Sequence, residues 1–235
     1  MKNEILIIKN ITREGPGLLE TELKGKGISY FIRDLSRRQI LPSFEELKAV
    51  VVLGGPDSAN DDTEKMNNEI DFVRKVINAN IPYLGICLGM QILVKAAEGE
   101  VVNCPVKEVG FKDSEGKNYS IELTDEGRKD PLFNDLDNSF NVFHLHGETV
   151  ELPDNMTLLA KGKHCKNQIV KTGSNAYGIQ CHFELTPEML DIWIDEDPDL
   201  MQLDKRQLKA DFKAIQDEYI KTGQQLFRNF LSPVF

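Results

Sequence analysis

The sequence predicts an α/β fold with a mostly parallel sheet covered by helices on both faces, and three observations carry that expectation. Up to Gly99, apolar runs of strand length alternate with helical patterns. Those runs are apolar at consecutive positions, as in strands buried on both faces. From residue 100 to residue 180 the texture changes. Short β-like segments are separated there by turn signals such as Asp113-Ser114-Glu115-Gly116 and Lys171-Thr172-Gly173-Ser174-Asn175, which predict β-hairpins added to the sheet edge.

In chain order, residues 5–8 (Ile-Leu-Ile-Ile) form the first strand. Residues 17–26 read as a helix ending at Gly27, where glycine can take a left-handed C-cap. Strands follow at 28–33 and 49–53, the second stopping at Gly54-Gly55-Pro56. Within 63–78, Met66, Ile70, Val73 and Ile77 recur at helical spacing and mark one face of a helix. An apolar run over 81–86 leads into a helix over 88–97. Thr186-Pro187-Glu188 sets an N-cap before a proline at the first helical position. That helix runs to about Asp195, where the acidic stretch Asp195-Glu196-Asp197-Pro198-Asp199 breaks it. Beyond Lys205, the apolar residues Leu208, Phe212, Ile215, Tyr219, Leu226 and Phe230 follow a 3.6 period, the pattern of a long amphipathic helix packed on the body. We read residues 1–235 as one domain, with about 186–235 as a C-terminal helical cover.

Composition narrows the functional classes. The 235 residues can bury a substantial core, and 28% charged with 40% hydrophobic residues is a globular balance. A net charge of −10 argues against nucleic acid and anionic membrane surfaces, both of which require a basic patch. No run has the length of a membrane-spanning helix, and the apolar run after Met1-Lys2-Asn3-Glu4 is too short for a signal sequence. A cytoplasmic location is expected. The four cysteines, 87, 104, 165 and 181, form no C-x-x-C pair, so neither a zinc knuckle nor a disulfide framework is expected.

The chemistry centres on Gly85-Ile86-Cys87-Leu88-Gly89-Met90-Gln91. A cysteine at a strand–helix junction, with glycine two positions before and after it, is the cysteine form of a nucleophile elbow. The sharp turn leaves no room for side chains at −2 and +2. Cys87 then lies at a helix N-terminus, where unpaired N–H groups and the dipole favour a thiolate. A buried structural cysteine at an ordinary turn is the competing reading. The nucleophile needs a base. His182 lies in Gly178-Ile179-Gln180-Cys181-His182-Phe183-Glu184, at the carboxyl end of a strand, where functional groups of α/β sheets gather. Glu184, two residues on, faces the same side of extended chain and can orient the imidazole. A surface histidine followed by a capping glutamate would give the same H-x-E pattern. Cys181 should face the opposite, core side.

Leu88 N–H at the elbow and Gly55 N–H in the Gly54-Gly55-Pro56 turn are the candidate oxyanion donors. His144-Leu145-His146 could offer two metal ligands, with His164-Cys165 as the only other cluster. Zinc needs three or four ligands, so no metal is expected. The sequence has no P-loop, no G-x-G-x-x-G and no pyrophosphate loop, so no nucleotide cofactor is expected either.

Taken together, Gly54-Gly55-Pro56, the elbow, Val142-Phe143-His144-Leu145-His146-Gly147-Glu148, Glu108-Val109-Gly110-Phe111, Trp193 and the His182 segment resemble a class I glutamine amidotransferase, of the stand-alone branch related to the glutaminase domain of GMP synthase. The resemblance spans about residues 50–193. It implies a flavodoxin-like three-layer α/β/α sandwich with a mostly parallel central sheet, added β-hairpins and a C-terminal helical extension. It also implies hydrolysis of glutamine to glutamate and ammonia, through a thioester on Cys87, with His182 moving the proton and Glu184 orienting it. Gly55 and Leu88 would hold the oxyanion, and Gln91, Leu145 and His146 would bind substrate. The ammonia would pass to a synthetase or ligase partner. Two departures stand out: Phe183 replaces the proline that usually precedes the triad glutamate, and Glu148 replaces a common aspartate. A hydrolase of γ-glutamyl amides or peptides, and a non-catalytic regulatory module, are the alternatives.

Overall fold

The computed structural model describes residues 4–234; the Met1-Lys2-Asn3 start, read above against a leader, lies outside them. Five parallel strands form the functional half of a nine-stranded sheet: β1 (Glu4–Lys9), β2 (Tyr30–Asp34), β3 (Leu47–Val52), β4 (Tyr83–Ile86) and β11 (Ala176–Ile179). Their spatial order is β2-β1-β3-β4-β11. The sheet continues antiparallel through β10 (Asn167–Thr172), β9 (Met156–Gly162), β6 (Ser120–Leu123) and β7 (Ser139–Asn141). A separate two-stranded ribbon pairs β5 (Glu100–Gly110) with β8 (His144–Glu151). The region of turn signals therefore both extends the sheet and builds this ribbon beside it.

Strand alternation divides the apolar residues between two cores. In β1, Ile5 and Ile7 face one layer and Leu6 and Ile8 the other. In β3, Val51 joins the first, and Val50 and Val52 the second. The first layer holds α1 (Gly17–Gly25), α4 (Pro187–Glu196) and α5 (Lys205–Leu231). The second holds α2 (Glu64–Asn78) and α3 (Leu88–Ala96). This is a flavodoxin-like α/β/α sandwich. Thr63 caps α2 and Thr186 caps α4, each accepting a backbone N–H three residues on, and Asp204 caps α5. Leu208, Phe212, Ile215, Tyr219, Leu226 and Phe230 form the buried stripe of α5, packed in the first core. Among the described residues, no helix is long and apolar enough to cross a membrane.

One expectation fails. Cys104 on β5 and Cys165 in the β9–β10 turn are joined in a disulfide, 61 residues apart in sequence. Spacing along the chain could not reveal it, because the pairing of β5 with β8 and the β9–β10 turn bring the two together.

Candidate active site

The loops after β1, β3, β4 and β11 leave the same carboxyl edge of the sheet. Chain order reverses between the neighbours β1 and β3, the place where doubly wound sheets open a crevice. A cavity of about 520 Å³ lies there, walled on its far side by β8 and by the 196–199 segment.

Cys87 carries φ 52° and ψ −108°, a left-handed backbone that the two flanking glycines make possible. A Cβ on Gly85 would lie 2.2 Å from the Gly89 carbonyl oxygen, and a Cβ on Gly89 would lie 2.2 Å from that of Val52. Both positions admit only glycine. The Cys87 sulfur is 3.8 Å from the Leu145 carbonyl and 3.8 Å from Gln180 Nε2. Leu88 is the first residue of α3, so its N–H has no partner within the helix. Gly55 approaches it across the cavity: a Cβ there would sit 3.4 Å from Leu88 Cδ2 and 2.6 Å from Asn10 Cβ.

His182 stands three residues beyond β11, in an isolated bridge with Phe143. Its Nδ1–H donates to Glu184 Oε1 at 2.6 Å, with both side chains almost fully buried. Its Nε2 has no hydrogen-bond partner among the described residues. Burial favours the neutral ring, but the carboxylate of Glu184 and the Cys87 sulfur outweigh it and hold His182 well above the usual histidine range. Phe183 N–H donates to the second oxygen, Glu184 Oε2, at 3.0 Å. A proline at 183 has no N–H to give, so here a hydrogen bond aims the carboxylate where a ring would otherwise constrain the chain. From α5, Tyr219 O–H donates to the His182 carbonyl at 2.7 Å and its ring stacks on Phe183. Cys181 is fully buried on the core side.

The structure brings the remaining sequence candidates to the same cavity. Gln91 is buried, with Nε2 donating to the Glu148 carbonyl at 3.3 Å and to Gln180 Oε1 at 3.4 Å. Leu145 and His146 line the β8 wall. His146 Nε2 meets Glu108 Oε2 at 3.1 Å. Glu148 carries its side chain away to the Ser58 hydroxyl, which donates to Oε1 at 2.9 Å, so its backbone carbonyl is what reaches Gln91.

Two residues went unread in the sequence. Gln180 precedes His182 by two positions on the same side of the chain, and the period-2 argument applied to Glu184 would have found it too. Glu14, in the loop after β1, is buried, and its Oε2 has no partner among the described residues. A Cβ on Gly54 would lie 2.3 Å from that oxygen, 3.3 Å from His182 Cε1 and 3.4 Å from Cys87 Cβ. Burial, helped by the Glu184 charge and opposed by His182, raises Glu14 to about 7. Its place beside the switch point was the available signal. An amide or ammonium N–H entering here would meet an oxygen ready to accept it.

The comparisons with known proteins agree with one another. The family model described as glutamine amidotransferase class-I matches residues 22–194. The glutamine amidotransferase-like protein YfeJ of Salmonella typhimurium is 30% identical over 196 residues, covering 81% of this chain and 79% of that one. A GMP synthase (glutamine-hydrolyzing) of Borreliella burgdorferi is 33% identical over 158 residues, covering 63% of this chain; the chain spans only 28% of its length. A glutamine amidotransferase structure from Thermotoga maritima superposes with a TM-score of 0.85 over 98% of each chain, at 24% identity, a likeness of fold.

Proposed function

The chain belongs to the class I glutamine amidotransferases, and from that premise we propose that it hydrolyses the side-chain amide of glutamine to glutamate and ammonia. The observation that carries this reading is the line Cys87, His182, Glu184, with the free imidazole nitrogen left for the sulfur. The Cys87 thiolate attacks the amide carbon. Gly55 and Leu88 N–H groups receive the charge that develops on the carbonyl oxygen, a contribution of about 3–4 kcal/mol per donor in such holes. His182, charged beside Glu184, gives its proton to the leaving nitrogen, and ammonia departs from a γ-glutamyl thioester. Water then attacks the thioester, His182 takes its proton, and glutamate leaves. Gln91, Leu145 and His146 hold the amino-acid end of the substrate.

The relative from Borreliella burgdorferi is named for a synthase that hydrolyses glutamine, and this chain spans about a quarter of it. By that likeness we propose that the ammonia passes to a synthetase or ligase that consumes it. A second reading has one observation in its favour. The cavity wall carries Glu14, whose Oε2 has no partner among the described residues, so a γ-glutamyl amide with a cationic substituent would also fit.

The test is release of glutamate from glutamine by the purified chain, alone and with cell extract, against γ-glutamyl amines in parallel. Glutamine should be cleaved and Cys87→Ala should release none. Preference for substituted amides moves the assignment to the second reading. Inactivity on both classes, with an unreactive Cys87 thiol, removes both.

A further inference from the structure

Behind the β8 wall, around the cavity-lining His146, lie two cysteines that the proposed hydrolysis does not use. Cys104 and Cys165 are half-buried and buried, with Cα atoms 6.0 Å apart, and His146 Nδ1 lies 3.4 Å from Cys104 Sγ. The two sulfurs and one His146 nitrogen all fall within 4.8 Å of one another. We propose that the reduced form of this cluster is a zinc site, with Cys104, Cys165 and His146 as its protein ligands and solvent in the fourth position.

The geometry fits zinc. Tetrahedral bonds of about 2.3 Å to sulfur and 2.0–2.1 Å to nitrogen set a sulfur and a nitrogen about 3.5 Å apart. Cys104 and His146 already have that spacing. Once the disulfide is opened, the sulfurs need to part only to about 3.8 Å, which the separation of their backbones permits. Two thiolates and an imidazole are a donor set that selects zinc over the hard, oxygen-seeking cations.

The rear of the histidine is also furnished. Nε2 of His146 lies 3.1 Å from both Glu108 Oε2 and His144 Nδ1, and Glu108 is fixed in turn by Gln168 Nε2, which donates at 3.2 Å. A carboxylate accepting the rear N–H of a ligating imidazole sets its orientation and raises its basicity. Both Glu108 and Gln168 are fully buried, although nothing in the proposed hydrolysis requires either. Glu108, His144 and His146 also cluster by themselves. His146 cannot offer one nitrogen to both groups, and the sulfur-facing one is Nδ1. In the disulfide form that nitrogen donates to the Glu148 carbonyl at 3.0 Å, a bond that metal binding replaces.

The chemistry balances with a phosphine as reductant. Phosphorus takes oxygen from water to become the phosphine oxide, the sulfur–sulfur bond breaks, and the two sulfurs take the two water protons. Zinc then displaces both thiol protons, and the imidazole proton moves from Nδ1 to Nε2, where Glu108 accepts it, as two Zn–S bonds and one Zn–N bond form. Because His146 also lines the cavity, the ion would tie the wall opposite Cys87 to β5 and the β9–β10 turn.

The experiment is a zinc titration of the full chain against a chromophoric chelator, without oxygen, after phosphine treatment. One zinc should be retained by the reduced wild type and none by the disulfide form, which has the same sequence and cannot fail through misfolding. Cys87→Ser should keep the ion, and Cys104→Ser and Cys165→Ser should lose it with unchanged far-ultraviolet circular dichroism. Glu108→Gln should weaken binding about 10- to 100-fold. Cobalt in place of zinc should give thiolate charge-transfer absorption. Equal retention by the reduced and disulfide forms overturns the site, and so does loss of the ion in Cys87→Ser alone, which would put the metal at the nucleophile. Neither outcome bears on whether glutamine is cleaved.

Discussion

Cys87 and His182, the proposed nucleophile and base, are held in opposite ways. Cys87 is fixed by its own neighbours, with Gly85 and Gly89 allowing a turn that closes within a few residues. His182 is fixed by contacts from far along the chain. Its N–H donates to the Phe143 carbonyl, its own carbonyl accepts from Tyr219, and its ring is held by Glu184, which Phe183 N–H aims. The difference teaches where each half is vulnerable. Changes near the elbow should damage the turn itself, and changes as distant as α5 should reach the base while leaving the sulfur in place.

Five measurements can break or sharpen that contrast. Glu184→Gln should have the largest effect, lowering kcat by roughly 10²- to 10⁴-fold, since it removes the main group that holds His182 charged. The variant should still react with a thiol reagent at Cys87. If turnover is unaffected, the orienting role of Glu184 is lost.

Gly89→Ala attacks the other half, because its Cβ would enter the Val52 carbonyl at 2.2 Å. A cost of about 3 kcal/mol in urea unfolding is expected, together with a displaced Cys87. A near-neutral alanine would mean the turn is not sterically closed.

Glu14→Gln tests the stability cost of the site. The carboxyl moves from 4.5 to about 7 on folding, so the folded chain holds its proton more tightly than the unfolded chain. The stabilisation is fully present below pH 4.5 and is lost as pH rises through about 7. Relative to Glu14→Gln, the wild type should lose roughly 3 kcal/mol between those limits. Parallel pH–stability curves for the two proteins would contradict this.

Phe183→Pro and Phe183→Leu both remove the buried ring, but only proline removes the N–H held by Glu184. The proline variant should turn over about tenfold more slowly than the leucine variant, the kinetic equivalent of about 1.4 kcal/mol. Equal rates would show that the hydrogen bond does not aim the carboxylate. Smallest is Tyr219→Phe, which deletes one hydrogen bond to the His182 carbonyl at about 1 kcal/mol. A small fall in kcat, with unchanged Cys87 thiol reactivity, is the pattern that distinguishes distant support of the base from a general loss of fold.

Much of this architecture was legible. The helical phases at Met66–Ile77 and Leu208–Phe230, and the cap at Thr186, fall where periodicity and capping chemistry put them. Residues 28–33 were read two residues early, since β2 begins at Tyr30. Within the site, Cys87 with its glycines was legible because the constraint is local. His182 and Glu184 were legible by their spacing, but the hydrogen bond from Phe183 was not, because a missing proline reads in sequence only as a lost restraint. Glu14 was missed because its significance is a distance to Gly54 and His182, on neighbouring strand ends.

The sequence by itself therefore determined the elements up to Gly99 and the two C-terminal helices, the burial of the sheet on both faces and the elbow that presents Cys87. These follow from periodicity, from capping and from the backbone freedom of glycine, all of which act over a few residues. Only the tertiary structure decided that Cys104 meets Cys165 beside His146, that Glu14 Oε2 lies near His182 without a partner among the described residues, and that Tyr219 holds the His182 carbonyl from α5. These depend on which strand ends become neighbours, and strand order is set by packing the whole chain at once.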